Sequence, residues 1–350
     1  MHDTEVSPVR LTSLSHGGGC GCKLAPAVLE QIIAKAGGLV PKSLLVGIET
    51  SDDAAVYQIN ETQAIVATTD FFMPVVDDPF DFGAIAATNA ISDIYAMGGT
   101  PLFALAVVAM PIDKLPVETI RRILEGGESV CQRAGIPIAG GHSVDSVEPI
   151  YGLVAIGLVD PRHVKRNADA RPGDVIVLGK PLGVGIYSAA LKQEQMTDDQ
   201  YQALLATTTK LNTPGPRLAR LAGVHALTDV TGFGLLGHLL EVCKGSGVRA
   251  TVRWSAVPLL PDVLELARRG YVTGASARNW AGYGPLVDLG TRGATERALL
   301  TDPQTSGGLL VTCAPEVVGE VLHVFRSDGF DDAAAIGEIA AGAPGVNVAP

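Results

Sequence analysis

A carboxylate interrupts the most apolar helix-patterned stretch of this chain, and it constrains the fold more than any other single feature. Phe82–Met97 (FGAIAATNAISDIYAM) predicts a helix that stops at Gly98-Gly99. Ala86, Ala90 and Met97 share the face of Asp93, so that side chain needs a partner or a metal. Asn89 lies four residues earlier on the same face. Strands are expected on both sides of this helix, at Ala54–Ile59, Ala64–Thr69, Pro101–Ala109 and Pro149–Val159. A second helix is expected over Pro116–Ala134, stopped by Gly135. The order β-β-α-β-α-β predicts a sheet covered by helices on one face.

The chain has 350 residues, which predicts two domains at about 150 residues each. Asp160–Pro172 (DPRHVKRNADARP), polar, locally basic and proline-flanked, is the expected hinge. Beyond it come a strand at Val175–Gly179, helices at Tyr187–Gln195 and Asp198–Lys210, and a short strand at Ala226–Thr228. A helix at Leu235–Lys244 and a strand at Leu309–Cys313 complete the readable second unit. Before the first unit, Pro26–Ala36 reads as a short helix closed by Gly37-Gly38. The tail, Ala340–Pro350, carries no readable signal.

Composition narrows the function classes. Apolar residues make up 47% and charged residues 18%, which excludes a disordered chain. Apolar runs such as Leu102–Met110 are too short to span a bilayer, and the N-terminus lacks the pattern of a secretory signal. A cytoplasmic location, with no membrane partner, is expected. The formal net charge of −11 argues against nonspecific nucleic-acid binding but not against phosphate ligands, which carboxylate-held divalent metals can bridge. Five cysteines, Cys20, Cys22, Cys131, Cys243 and Cys313, do not form a disulfide framework. The last three lie in apolar contexts and are expected to be inert core residues.

Chemistry concentrates in aspartates at strand ends. Asp52-Asp53 precede one strand, Asp70 ends the next, and Asp229 follows a third in TDVTGFG. Together with Asp93 in its helix, they suit a hard cation such as Mg²⁺ and hence nucleotide phosphates. For Asp52, a simple turn or cap is an equally open reading. Gly173–Pro181 (GDVIVLGKP) lacks P-loop spacing, with Pro181 where Ser or Thr belongs. Gly183-Val-Gly185-Ile-Tyr-Ser188 is a defective dinucleotide fingerprint, and a close strand-to-helix turn is the stronger reading. Ala139–Ser143 (AGGHS) offers backbone donors, a hydroxyl and an imidazole, with a plain turn as competitor.

His16–Lys23 (HGGGCGCK) places two thiols on a glycine-rich loop beside a lysine. Its glycines make a loop mobile without ligand the expectation. A thiolate next to a cation suits a soft chalcogen or a phosphoryl group. A strained Cys-Gly-Cys redox pair and a tail with incidental thiols are the competing readings.

These motifs resemble those of the selenophosphate synthetases (selenide, water dikinases). The resemblance runs from about Leu11 to about Ile339. It rests on HGGGCGCK, TSDDAAVY (Thr50–Tyr57), TTDFFMPVVDDPFDFG (Thr68–Gly83), ATNAISDIYAMGG (Ala87–Gly99), AGGHS, TDVTGFGLLGH (Thr228–His238) and DPQTSGGLL (Asp302–Leu310). It implies the two-domain α/β (α+β) fold of aminoimidazole ribonucleotide synthetases. The expected division is a catalytic loop segment at 1–45, an ATP- and Mg²⁺-binding dimerisation domain at 46–160, and a C-terminal α/β domain at 161–350. The resemblance also implies a homodimer with sheets joined across the two-fold. The implied reaction is ATP, selenide and water giving selenophosphate, AMP and orthophosphate, which supplies activated selenium for selenocysteine and selenouridine.

By the same resemblance Asp53, Asp93 and Asp229 are metal ligands, with Asp93 also counted in the ATP site. Lys23, Thr50, Ser51, Asp52 and Asp70 are ATP contacts. Gly141, His142 and Ser143 contact nucleotide bound mainly by the other subunit. Cys20 and Lys23 are catalytic, and Cys22 is a second, less critical cysteine. The runner-up is another ATP-dependent member of the superfamily, a small-molecule kinase or amide-activating synthetase; HGGGCGCK argues against it. A non-catalytic selenium or metal carrier would leave the aspartates idle, and a nicotinamide oxidoreductase rests only on the defective glycine motif.

Overall fold

The first sheet is assembled around one long pairing. In the computed structural model, which describes residues 10–22, 32, 41–47 and 52–350, β3 (Ala64–Phe72) runs antiparallel to β6 (Ile150–Val159) from Ala64 opposite Val159 to Phe72 opposite Tyr151. β1 (Leu44–Val46) and β2 (Ala55–Gln58) extend one side. β4 (Thr100–Met110) and then β5 (Ile138–Asp145) extend the other, giving the order β1-β2-β3-β6-β4-β5. Helices α1 (Pro79–Ala96) and α2 (Val117–Arg133) are the two expected ones. Asp78 caps α1 by accepting from the Asp81 amide, with Pro79 as the first helical residue. The expected helix over 26–36 lies, apart from Ile32, outside the described residues, as do Lys23, Thr50 and Ser51.

Two strands go beyond the expected order. β1 precedes it, and β5 falls where a turn was the competing reading. AGGHS has little strand propensity. It is extended because it pairs in parallel with β4, Gly141 opposite Ala106 and Ser143 opposite Val108. At Gly141, φ is +154° and a Cβ would lie 2.1 Å from the Ala106 carbonyl oxygen, so only glycine allows that approach.

The second sheet has seven strands in the order β10-β13-β9-β12-β7-β11-β8. One end of it is β7 (Val175–Leu178), β11 (Leu309–Cys313) and, at the edge, β8 (Val224–Asp229). Alternate residues serve opposite faces. Ile176, Leu178 and Leu310 pack with α6 (Gly234–Ser246), whereas Val177, Leu309 and Val311 pack with α10 (Val318–Ser327). The unreadable tail is structured: β12 (Ala334–Ala341) pairs antiparallel with β7 and with β9 (Val248–Arg253), and β13 (Gly345–Ala349) runs parallel to β9 and to β10 (Val287–Asp288). Shorter helices α3 (Val184–Lys192), α4 (Asp198–Thr208), α5 (Gly215–Ala219), α7 (Val263–Arg268), α8 (Gly274–Tyr283) and α9 (Ala294–Leu300) complete this half.

One hydrophobic core spans both halves. Ile85, Ile91 and Ile94 of α1 belong to the same cluster as Ile186 and Tyr187 of α3 and Leu204 of α4. Thus α1 is covered by its own sheet on one side and by the second half on the other, which is why it is buried from Phe82 to Ala96. The 160–172 connector is pinned rather than loose, with the Lys165 ammonium donating to the Val224 carbonyl and the Asn167 amide donating to Asp52 Oδ1. Cys131, Cys243 and Cys313 are buried, and burial pushes their thiols up to about 11, 11 and 12. They are the inert core residues expected from their surroundings.

Candidate active site

Two periodicities come into register at the site. On β3, residues 64, 66, 68, 70 and 72 share one face, so Thr68 and Asp70 lie about 6.7 Å apart along the strand. On α1, Asn89 and Asp93 lie one turn apart, about 6 Å along the axis. The pairs therefore meet. Thr68 Oγ1 donates to Asp93 Oδ2 at 2.5 Å, and Asn89 Nδ2 donates to Asp70 Oδ2 at 2.7 Å. Asn89 was expected beside Asp93; it instead serves the neighbouring carboxylate.

Asp93 meets two further carboxylates. Oxygens of Asp53, Asp93 and Asp229 all lie within 4.8 Å of one another. Asp53 leads into β2 and Asp229 ends β8, so the two sheets contribute from opposite sides of α1. Hydroxyls hold the outer oxygens. Thr228 Oγ1 donates to Asp53 Oδ1 at 2.9 Å, and Ser92 Oγ donates to Asp229 Oδ2 at 2.5 Å. Asn212 Nδ2 in turn donates to Ser92 Oγ at 2.8 Å.

Asp53 Oδ2 is buried with no hydrogen-bond partner among the described residues. Burial, and then the charges of Asp229 and Asp93, raise the Asp53 carboxyl well above its ordinary range. An orphaned carboxylate oxygen facing two more acids is a donor set that fits a hard divalent cation of the Mg²⁺ type.

Cys20 approaches from the other end of that helical turn. It is 2% exposed, and its Sγ donates to Asn89 Oδ1 at 3.1 Å. A cavity of about 250 Å³ opens between Cys20 and Asp70, walled by Phe72, Met73 and Ile150. The described part of the glycine loop is docked here. Gly19 N donates to the Met73 carbonyl at 2.9 Å, and Cys20 N donates to Thr305 Oγ1 at 3.1 Å. Its glycines permit close contact as well as freedom: a Cβ on Gly18 would lie 2.6 Å from the Pro74 carbonyl oxygen. The Cys22 side chain lies outside the described residues.

Other expected residues stand apart. Asp52 Oδ1 accepts from the Asn167 amide at 2.7 Å, stapling the connector to the first half. Gly141, His142 and Ser143 are exposed on the edge strand β5. Three strand steps separate β5 from β3, about 14 Å across the sheet. Within one chain they are not joined to the aspartate cluster by any hydrogen bond among the described residues.

The defective glycine motif has its own occupant. Asp302 Oδ2 accepts from Gly185 N at 2.9 Å and Ile186 N at 3.3 Å, and Gln304 Oε1 accepts from Gly183 N at 3.1 Å and Val184 N at 3.2 Å. The first amides of α3 are taken by side chains, as a close turn requires, and offer nothing to a pyrophosphate.

Sequence reasoning missed Asn89 as a hub, together with Thr68, Ser92, Asn212, Thr228, Thr305 and Lys180. Two of these had a readable signal: Asn89 and Ser92 are polar residues in an apolar helix, and a buried polar side chain must find partners. Lys180 is buried, and its ammonium donates to the Lys210 and Ser306 carbonyls at 2.7 and 2.8 Å. Burial lowers it to about 7.

Comparisons with known proteins agree with this architecture. The model of the AIR synthase related protein N-terminal domain matches residues 51–159, and that of the C-terminal domain matches residues 171–348. A curated selenide, water dikinase from Dechloromonas aromatica is 67% identical over 343 residues, 97% of this chain and 98% of the relative. One from Paraburkholderia xenovorans is 64% identical, over 99% of this chain and 98% of the relative. Among solved structures, a thiamine-monophosphate kinase from Stenotrophomonas maltophilia superposes with a TM-score of 0.63 at 24% identity, covering 92% of this chain and 95% of that one. The HypE-HypF complex gives 0.67 at 20% identity, with the same coverages. These two show the shared fold, and the curated relatives show the family: the chain belongs to the selenide, water dikinases, built on paired AIR synthase related domains.

Proposed function

We infer that this chain makes selenophosphate from selenide, ATP and water, releasing AMP and orthophosphate. The observation that carries the reading is the placement of a thiol and a three-carboxylate cluster one helical turn apart, through Asn89 and Asp93 of α1. A kinase acting on a hard oxygen acceptor has no use for that thiol. Family membership at 67% identity supports the same reaction.

Asp53, Asp93 and Asp229 would hold Mg²⁺. When bound, Mg²⁺ supplies positive charge against the phosphate oxygens. Asp70 and Asp52 are proposed to orient the nucleotide, with Lys23, Thr50 and Ser51 assigned by family resemblance. The chain's own contribution is mostly positioning. Hydroselenide attacks the γ-phosphorus, a P–Se bond forms, and the bond from that phosphorus to the β,γ-bridging oxygen breaks. Water then attacks the β-phosphorus of the ADP formed, releasing orthophosphate and AMP. Cys20, seated beside Asp70, would meet selenium on its way to the γ-phosphorus, and Lys23 would offset anion repulsion. Cys22 is given a lesser part.

A homodimer is proposed, with 46–160 as the nucleotide-binding and dimerisation domain, 1–45 as the catalytic loop segment and 161–350 as the C-terminal domain. The sheet face turned away from α1 and α2 exposes Phe71, Leu102 and Val144, and β5 leaves one edge open. Pairing there would carry Gly141, His142 and Ser143 toward the partner's nucleotide. No helix among the described residues is long and apolar enough to cross a membrane; a cytoplasmic enzyme is proposed. Anaerobic phosphorus NMR with Mg²⁺-ATP tests the reaction. Selenophosphate and AMP should appear together and only with selenide; ADP formed without selenide dependence would overturn the reading.

A further inference from the structure

The DPQTSGG segment, Asp302–Gly308, has no part in the reaction as described, yet it touches the catalytic loop directly. Asp302 and Gln304 bind the amide of the N-cap Gly183 and the first three amides of α3. Gln304 Nε2 also donates to Asp302 Oδ2 at 3.0 Å, and Gln304 N donates to the Thr231 carbonyl at 2.9 Å. On the other side of Thr305, Ser306 is buried in the left-handed region at φ +54°. Its carbonyl accepts from Lys180 Nζ at 2.8 Å, and its amide donates to Asn89 Oδ1 at 2.7 Å. A non-glycine residue held at positive φ persists only where its surroundings over-determine it. Asn212 Nδ2 donates to the Gly307 carbonyl at 2.9 Å. Thr305 is thus clamped from both sides.

From this mount Thr305 Oγ1 reaches the catalytic loop, accepting from Cys20 N. The preceding Gly19 has φ +54°, and a Cβ there would lie 2.3 Å from Thr305 Oγ1. The mount also holds the thiol's acceptor, because Ser306 N and Cys20 Sγ share Asn89 Oδ1. The second domain therefore addresses both the backbone of Cys20 and the atom its thiol is aimed at.

We propose that Thr305 is a positioning residue for selenide transfer: its hydroxyl seats the Cys20 loop so that the thiol faces Asn89 and Asp70. The assignment rests on the selenophosphate reading for its kinetic consequence, but the seating itself does not depend on turnover. Thr305→Val keeps the shape and removes the acceptor, and Thr305→Ser keeps it. Iodoacetamide labelling of the protein without nucleotide, with the modified site mapped by mass spectrometry, reads the seating. Cys20 in Thr305→Val should alkylate about five- to tenfold faster than in wild type, and in Thr305→Ser at close to the wild-type rate. Cys131, Cys243 and Cys313 should stay unlabelled in all forms, which reports an intact fold.

In turnover, Thr305→Val should lower selenide-dependent kcat about ten- to a hundredfold, with ATP binding retained and Ser restoring the rate. Gly19→Ala, whose new methyl would collide with Thr305 Oγ1, should accelerate labelling in the same way and serves if the valine variant does not fold. Wild-type labelling of Cys20 in Thr305→Val, or in Gly19→Ala, would overturn the proposal. Failure of the wild type to make selenophosphate would overturn the reaction assignment instead, and the labelling comparison would stand.

Discussion

Two buried acidic regions of this molecule answer the same physical problem in opposite ways. Asp302 is fully buried, and burial raises its carboxyl to about 7, but its Oδ2 is surrounded by donors: two α3 amides and the Gln304 side chain. The Asp53, Asp93 and Asp229 group is crowded with acceptors; among the described residues Asp53 Oδ2 has no hydrogen-bond partner, and neither does Asp302 Oδ1, but Asp53 faces two further carboxylates. One carboxylate met by protein donors is scaffold. Three that face one another are a donor set that fits a cation. Burial, a raised pKa and one oxygen without a partner are common to both, so none of these separates site from scaffold; the facing carboxylates do.

The largest effect that would break this contrast is on turnover. Asp93→Asn or Asp229→Asn should lower selenide-dependent ATP consumption by about a thousandfold or more if the cluster holds the ion that neutralises the phosphates. Asp302→Asn should leave turnover within about tenfold. Equal losses from Asp93→Asn and Asp302→Asn in a phosphate-release assay would erase the distinction. Next, Cys20→Ser should abolish selenophosphate formation while ATP affinity by calorimetry stays within about threefold. A matching loss of nucleotide affinity would merge the thiol and phosphate functions that Asn89 keeps on separate atoms.

A smaller effect tests the crowding itself. Removing one negative charge from the cluster should stabilise the cation-free protein, so Asp53→Asn should melt about 2–4 °C higher than wild type in chelator. The increment that Mg²⁺ gives the wild type should shrink or vanish in the variant. A lower melting temperature in chelator would mean the three acids are not in conflict.

The smallest effect is the pH dependence of the scaffold acid. Asp302 carries a folded pKa of about 7 against an ordinary 3.8. Between those values the folded state keeps a proton that the unfolded state has lost. The contribution of this group is therefore complete below pH 4, declines as pH rises through 7, and is flat beyond. The stability difference between wild type and Asp302→Asn should move in the variant's favour over that window in denaturant titrations. A difference independent of pH would place Asp302 among ordinary ionised caps.

Much of the fold was legible in the sequence because it is local. α1 and α2 carry apolar periodicity with glycine stops, and β11 occupies the five residues read for it, Leu309–Cys313. The aspartates at strand ends were legible too, since such positions in α/β folds open onto clefts. β5, β12 and β13 were not: AGGHS and the tail, Ala340–Pro350, have weak propensity, so pairing makes them strands.

The same division runs through the site. The sequence by itself determined that a charge lies inside an apolar helix, that thiols sit on a glycine-rich loop, and that acids end several strands. It could not tell which of those acids share a cation and which residue faces the thiol. Asn89 gained Cys20, Asp70 and Ser306 as neighbours, and Thr305 gained Cys20, across separations of 69, 19, 217 and 285 residues. Helix and strand periods act over a few residues. Contacts of that span exist only once both sheets have closed on α1, where burial obliges each remaining polar group to find whatever partner the fold has brought within reach.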